Sequence, residues 1–177
     1  MPVKENTINQ FYPLLLTASE LVYHPLGYQI NNLRIDSEGQ EYSACTFELS
    51  GLEIKYRHSK ITPTKTGQFV TIWKRNEVGI TAPFDDRDNF DLVVITAKNG
   101  NDFGQFFFPK AVLAKHKIIT KDGVAGKRGI RVYPPWDIVT NKQAEKTQQW
   151  QIVYFLPIST HQDIDLTLAK KLINLIS

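Results

Sequence analysis

The stretch Asp91 to Phe108 constrains this chain most. Asp91 to Thr96 is a strongly apolar strand, Lys98 to Asp102 is a turn built on Asn99-Gly100, and Phe103 to Phe108 returns as a second strand. Such a hairpin has a register that can be counted: a turn centred on Asn99-Gly100 sets Asp91 opposite Phe108 to Lys110. Pro109 ends the return strand and suits the first position of a short helix running through His116.

Other segments take their places around it. Ile8, Phe11, Leu15, Leu16, Ala18 and Val22 recur at three-to-four spacing, which predicts an amphipathic helix from Ile8 to Tyr23, started by Thr7 and stopped by Pro25 and Gly27. Ala44 to Leu49 and Leu52 to His58 are rich in β-formers and split by Ser50-Gly51, the pattern of a hairpin. Thr62 to Gly67 is irregular, and Gln68 to Arg75 alternates as a strand does. Lys121 to Gly129, with three glycines, reads as a mobile loop, followed by a short strand at Ile130 to Tyr133 and a stop at Pro134-Pro135. A helix is expected from Asn141 through Gln149, extended chain from Gln151 to Leu156, and a closing helix from Asp165 to Ile176.

With 177 residues, 42% of them hydrophobic, the chain is long enough for one respectable core, and residues 1–177 are expected to form a single domain. Cys45 is the lone cysteine, so no internal disulfide and no cysteine-rich metal site is expected. Met1 to Gln10 lacks a signal-peptide pattern, and the apolar runs fall short of the ~20 residues a membrane helix needs. A cytoplasmic protein without membrane association is expected.

The net charge of +3 is mild, but its distribution is uneven. Lys55, Arg57, Lys60, Lys65, Lys74 and Arg75 fall between Ile54 and Arg75, where no acidic residue occurs. Lys110, Lys115, Lys117, Lys121, Lys127, Arg128 and Arg131 follow between Lys110 and Arg131, against Asp122 alone. Lysines and arginines on loops and strand ends suit phosphates, because each neutralises a backbone charge and releases a condensed counterion. Trp73, Tyr56, Tyr133 and Trp136 are interleaved with them and suit stacking on unpaired bases, although solvated cations and core aromatics have the same look.

Lys60 to Arg75 (KITPTKTGQFVTIWKR) resembles the signature of the MepB family. Ala82-Pro83-Phe84, the Asp91 strand, Gly104 to Lys110 (GQFFFPK), Gly126 to Asp137 (GKRGIRVYPPWD), Gln143-Ala144 and Thr147 to Gln151 agree with it in order, over roughly Tyr56 to Phe155. The resemblance implies a bacterial cytoplasmic protein with no established activity. It also implies a mixed α/β fold, a central mixed β-sheet flanked by helices, distantly like the restriction-endonuclease-like fold. That is an analogy of fold and supplies no chemistry by itself.

A nuclease of that fold needs an aspartate on one strand and an acid, spacer, lysine triplet on the next, so that two carboxylates hold magnesium. Asp91 and Lys110 are placed to approach one another, but the triplet reads Phe108-Pro109-Lys110 and phenylalanine ligates no metal. Glu53-Ile54-Lys55 has the triplet pattern without a preceding aspartate strand, the Asp85 to Asp91 cluster reads as a solvated turn, and His24, His58, His116 and His161 lack metal-ligand spacing. Gly126-Lys127-Arg128-Gly129 lacks the strand and helix frame of a mononucleotide site and reads as a phosphate clamp on a polymer. The expectation is therefore a nucleic-acid binder, DNA more than RNA, using Arg57, Lys60, Lys65, Trp73, Arg75, Lys110, Lys127, Arg128 and Arg131, with no cofactor and at most a degenerate nuclease-like site. Its rivals are a divergent metal-dependent nuclease using Asp91, Lys110 and Glu48 or Glu53, and a protein-interaction module built on Tyr133 to Trp136 and Gln143 to Trp150.

Overall fold

A computed structural model describes residues 12–175. The chain forms mixed α/β structure around a six-stranded sheet of order β1-β2-β3-β8-β9-β11. These are β1 (Asn31–Ile35), β2 (Cys45–Leu49), β3 (Leu52–His58), β8 (Leu92–Asn99), β9 (Asp102–Pro109) and β11 (Phe155–Pro157). The β3–β8 pair is parallel and the other pairs are antiparallel, so the sheet is mixed.

The β8–β9 hairpin lies in its interior, with Leu92 paired to Pro109 and Asn99 to Asp102. The tight turn is thus Gly100-Asn101, one residue later than the sequence pattern suggests, with Gly100 taking the positive φ of +59°. Ser50 and Gly51, at φ +52° and +78°, make the β2–β3 turn where it is expected.

Alternation along β8 and β9 creates two cores. Leu92, Val94 and Phe107 face one side, against Leu15, Ala18, Val22 and Tyr23 of the first helical segment and Ala169, Leu172 and Ile173 of the last. That first segment is α1 (Pro13–Ala18), continued by a π turn (Ser19–Tyr23) and a 3-10 turn (His24–Leu26). The expected cap at Thr7 and the apolar Ile8 and Phe11 lie outside the described residues. The last helix, which becomes α4 in the numbering used below, spans Leu166–Ile173 and starts where the Asp165 carboxylate accepts from the Leu168 amide at 2.9 Å; Ile176 lies outside the described residues.

On the opposite face Val93, Ile95, Ala97, Phe106 and Phe108 meet Val70, Ile72, Ile130, Val132 and Leu113. Fully burying each phenylalanine contributes roughly 1.5–3 kcal/mol. This second layer holds a three-stranded sheet of order β10-β5-β4, made from β4 (Lys60–Ile61), β5 (Gln68–Thr71) and β10 (Gly129–Val132). A separate hairpin joins β6 (Trp73–Arg75) to β7 (Thr81–Pro83). Two helices complete it, α2 (Lys110–Lys115) and α3 (Lys142–Gln151), the latter capped by the Asn141 side chain at the Ala144 amide.

Three expectations change. The strand over Gln68 to Arg75 divides at Ile72, because its partner changes there: up to Thr71 it pairs with β10, the Ile72 amide adding a last bond of 2.9 Å to the Arg128 carbonyl, and from Trp73 it pairs with β7. The extended chain over Gln151 to Leu156 shrinks to Phe155–Pro157, since α3 runs on to Gln151 and a 3-10 turn follows at Ile152–Tyr154. Lys121 to Gly129 is tied down: Lys121 and Val124 exchange backbone hydrogen bonds of 3.1 and 2.9 Å, and the Gly126 amide donates to Thr120 Oγ1 at 2.9 Å. A Cβ at position 126 would stand 2.4 Å from the Ile118 carbonyl oxygen, so only glycine permits this approach.

No helix among the described residues is long and apolar enough to cross a membrane. Gly126→Ala is expected to lower the unfolding free energy by about 1–3 kcal/mol through backbone overpacking. Urea denaturation measures it, and an unchanged midpoint would show that the loop gives way freely.

Candidate nucleic-acid interface

Cations in the two basic segments meet two different fates. Arg57 on β3 is only 2% exposed, and its guanidinium donates to Asp36 Oδ2 at 2.9 Å, to the Tyr56 carbonyl at 2.8 Å and to the Thr71 carbonyl at 3.3 Å. Burial works against its charge and Asp36 restores it. The expected phosphate contact at Arg57 thus gives way to an internal ion pair, because the β3 alternation turns this residue inward. Lys110 likewise spends its ammonium on the carbonyls of Asp86 and Asp88, 4.7 Å from the Phe90 ring centroid. Lys74 pairs with Asp88 at 2.6 Å, and Arg75 pairs with Glu38 at 2.5 Å while lying over the half-buried Trp73 ring.

The remaining cations converge. β5 and β10 pair antiparallel, Phe69 opposite Arg131 and Thr71 opposite Gly129, so the two basic segments supply neighbouring strands. α3 lies along the outer edge of β10, held there by the buried Gln151 side chain. Its Oε1 accepts from the Tyr133 amide at 2.8 Å and its Nε2 donates to the Arg131 carbonyl at 2.9 Å, replacing the strand that β10 lacks on that side.

Between α3, β10 and the end of α2 opens a cavity of about 1020 Å³, bordered by Lys65, Lys127, Arg131 and Lys146. None of its lining residues, among those described, is an aspartate or glutamate. Lys65, Lys127 and Lys146 are exposed and make no ion pair among the described residues. Arg131 is held in place by donating to Thr62 Oγ1 at 2.8 Å and to the Thr66 and Gly67 carbonyls at 3.2 and 3.4 Å. Lys60 is exposed beside the Tyr42 ring, and Arg128 is exposed with one hydrogen bond to the Thr81 carbonyl at 3.1 Å.

One wall of the cavity is aromatic. The His116 ring lies flat on Trp150, with centroids 3.9 Å apart and planes 8° apart, and Trp150 packs in turn on Phe108. Burial, aided by Lys115, pushes the His116 pKa below its ordinary value, so the ring is neutral at neutral pH. Sequence patterning missed His116, Lys146 and Trp150 as parts of this site. Lys146 and Trp150 did leave a signal, since four-residue spacing puts them on one helix face a turn apart. Trp136 and Trp150, from the aromatic region considered for protein contacts, pack against the second core.

The nuclease alternative was placed on Asp91 and Lys110. Their backbones meet as counted, the Lys110 amide donating to the Asp91 carbonyl at 3.1 Å, but their side chains go to other partners. Asp91 Oδ2 accepts from the Glu53 amide at 2.8 Å, Glu53 is paired with Arg34, and Glu48 accepts from Asn32. Among the described residues no group of three or more histidine, cysteine, aspartate or glutamate side chains is placed to hold a metal ion. Asp85 is kept ionised by hydrogen bonds from Arg87, and burial pushes the Cys45 thiol far above the range in which it would ionise.

The MepB-like family model matches residues 36–157, which contain β2 through β11 and the whole cavity. The chain belongs to the MepB-like family. A solved structure described as the crystal structure of MepB is similar to it, with 34% sequence identity, a TM-score of 0.71, and coverage of 75% of this chain and 88% of that one. No curated protein matches the chain. The match spans the small sheet, α3 and the loops between them, so the MepB-like region contains the elements that build the cavity.

Gln151→Leu removes both hydrogen bonds that hold α3 to β10 and leaves the Tyr133 amide and Arg131 carbonyl unpaired. A loss of about 1–3 kcal/mol in unfolding free energy is expected, with Gln151→Glu losing only the donor half. Equal stability of wild type and Gln151→Leu in a denaturant titration would contradict the clamp.

Proposed function

We propose that this MepB-like chain binds nucleic acid, DNA in preference to RNA, at the β10–α3 cavity and its flanking loops, and that it does so without cleaving it. The observation that carries the reading is the meeting of Lys65, Lys127, Arg131 and Lys146 on one cavity that no carboxylate lines among the described residues. Several cations are neutralised by Asp36, Glu38, Asp88 or backbone carbonyls; Lys65, Lys127 and Lys146 share with other surface lysines the lack of an ion pair among the described residues, but they are brought together on one cavity, where an external anion can meet all three. A polyanion relieves their mutual repulsion and releases counterions.

Of the residues the sequence singles out, Lys60, Lys65, Lys127, Arg128 and Arg131 serve this reading, joined by Lys146, His116 and Trp150. Arg57 and Lys110 are committed to internal partners, and Trp73 and Arg75 belong to the β6–β7 hairpin. On this reading the chain is a single-domain cytoplasmic protein whose mixed sheet is a distant relative of the restriction-endonuclease-like fold, with the metal-binding triplet replaced by Phe108-Pro109-Lys110.

Fluorescence anisotropy with a labelled DNA duplex and the matching RNA tests it. Lys65→Glu, Lys127→Glu and Lys146→Glu are each expected to weaken binding about tenfold for every sequence tried, whereas Lys170→Glu, on the helix of the opposite core, leaves it within about twofold. Absence of binding at low salt would remove the proposal, and magnesium-dependent digestion abolished by Asp91→Ala would replace it with the nuclease.

Binding also depends on pH through His116. Burial, aided by Lys115 on α2, holds the ring neutral, whereas a bound phosphate favours the imidazolium. Proton uptake therefore accompanies binding, and affinity should rise several-fold as pH falls from about 7.5 to about 5.5. His116→Gln should flatten that rise; an unchanged slope in the variant would show that another group titrates.

A further inference from the structure

We propose that the β10–α3 cavity accepts the terminal phosphate of a nucleotide, its base against the His116–Trp150 wall, in preference to a run of internal phosphodiesters. This rests on the nucleic-acid reading and names the part of the ligand that enters the cavity.

Placement of the cations is the first argument. Lys65 comes from the β4–β5 loop, Lys127 from the loop before β10, Arg131 from β10 itself and Lys146 from α3, so positive groups stand on both walls of one concave space. A groove that follows an extended strand strings its cations along a line, one for each singly charged phosphate. Cations facing one another across a cavity match a charge concentrated in one group. A terminal phosphate carries about −1.5 to −2 charges at pH 7 and three acceptor oxygens, where an internal phosphodiester carries one charge.

Size and polarity are the second. At about 1020 Å³ the cavity sits at the upper end of the range that holds small ligands, roughly 300–1,000 Å³. Its remaining lining includes Phe69, Ile118 and Ile130 beside the stacked His116 and Trp150 rings. A cationic side and the His116 ring, backed by Trp150, in one space mirror the two halves of a nucleotide, and bases stack on such rings whatever their sequence. Arg131 adds a guanidinium already fixed by Thr62, Thr66 and Gly67, so little side-chain freedom is lost when it engages an oxygen pair.

The terminal phosphate has two sources, the end of a strand and a free nucleotide. The test uses the full chain and one labelled oligonucleotide prepared with a 5′-phosphate, with a 3′-phosphate, or with hydroxyls at both ends, and adds ATP as competitor. A phosphorylated end is expected to bind about tenfold more tightly than the hydroxyl form. Lys146→Ala, at an exposed position, should erase most of that preference by weakening the phosphorylated strand far more than the hydroxyl form, and Lys170→Ala should preserve it. ATP that displaces the phosphorylated strand at an affinity equal to the strand's own identifies the free nucleotide as the ligand; weaker displacement identifies the strand end.

Equal affinity for phosphorylated and hydroxyl strands overturns this inference and leaves the nucleic-acid reading standing, as does a preference that survives Lys146→Ala. Binding of ATP with no binding of any strand keeps the phosphate assignment and overturns the nucleic-acid reading. Failure of every probe overturns both.

Discussion

Side chains alternate along a strand, so the eight paired positions of β8 and β9 send Val94 and Phe107 to one side and Val93, Ile95, Phe106 and Phe108 to the other. Everything else is placed by that division. The first side is closed by the amino-terminal helical segment and α4, the second by the β10-β5-β4 sheet with α2 and α3. Because the second layer is a sheet only three strands wide, β10 is left with an open edge. The Gln151 amide fills it with one donor and one acceptor, and this places α3 across from Arg131 to make a cavity rather than a flat surface.

Within this frame the chain treats its positive charges in two ways. Arg57, sealed under β5 beside Asp36, meets the requirement that a buried charge be paired and hydrogen-bonded, and its three acceptors tie β3 to Asp36 and Thr71. Lys110 and Lys74 similarly anchor the Asp85 to Asp91 turn. Lys65, Lys127 and Lys146 anchor nothing, although they border a space large enough for a ligand. Other surface lysines, such as Lys170 and Lys171, are equally without an ion pair among the described residues; gathering from distant parts of the chain onto one cavity is what separates a binding surface from them.

The sequence foretold the elements whose cause is local. Ser50-Gly51 and Asn99-Gly100 marked both hairpins because positive φ is a property of the turn residues themselves, and the Asp91 to Lys110 register followed within a residue. The helix starts at Asn141 and Asp165 were legible too, and the structure shows both residues to be caps. What stayed hidden depends on distant partners. Nothing near Ile72 shows that the strand exchanges β10 for β7 there; nothing near Arg57 shows that Asp36 awaits it inside. The acid-poor segments pointed to Lys65, Lys127 and Arg131, but a count of charges could not tell these from Lys110 and Arg75, which the fold consumes. Lys146 lay outside both segments and joined the site only through α3 docking.

The account turns on four cations facing one polyanion, and the slope of log binding constant against log salt concentration measures how many of them are engaged. About 0.7–0.9 counterions are released per neutralised phosphate, so for a strand with hydroxyl ends, whose phosphates each carry one charge, a slope of about −3 or steeper is predicted for the wild-type chain, losing most of that steepness when Lys65, Lys127, Arg131 and Lys146 are replaced together by alanine. An affinity that does not change with salt, or a slope that survives the fourfold replacement, would contradict it.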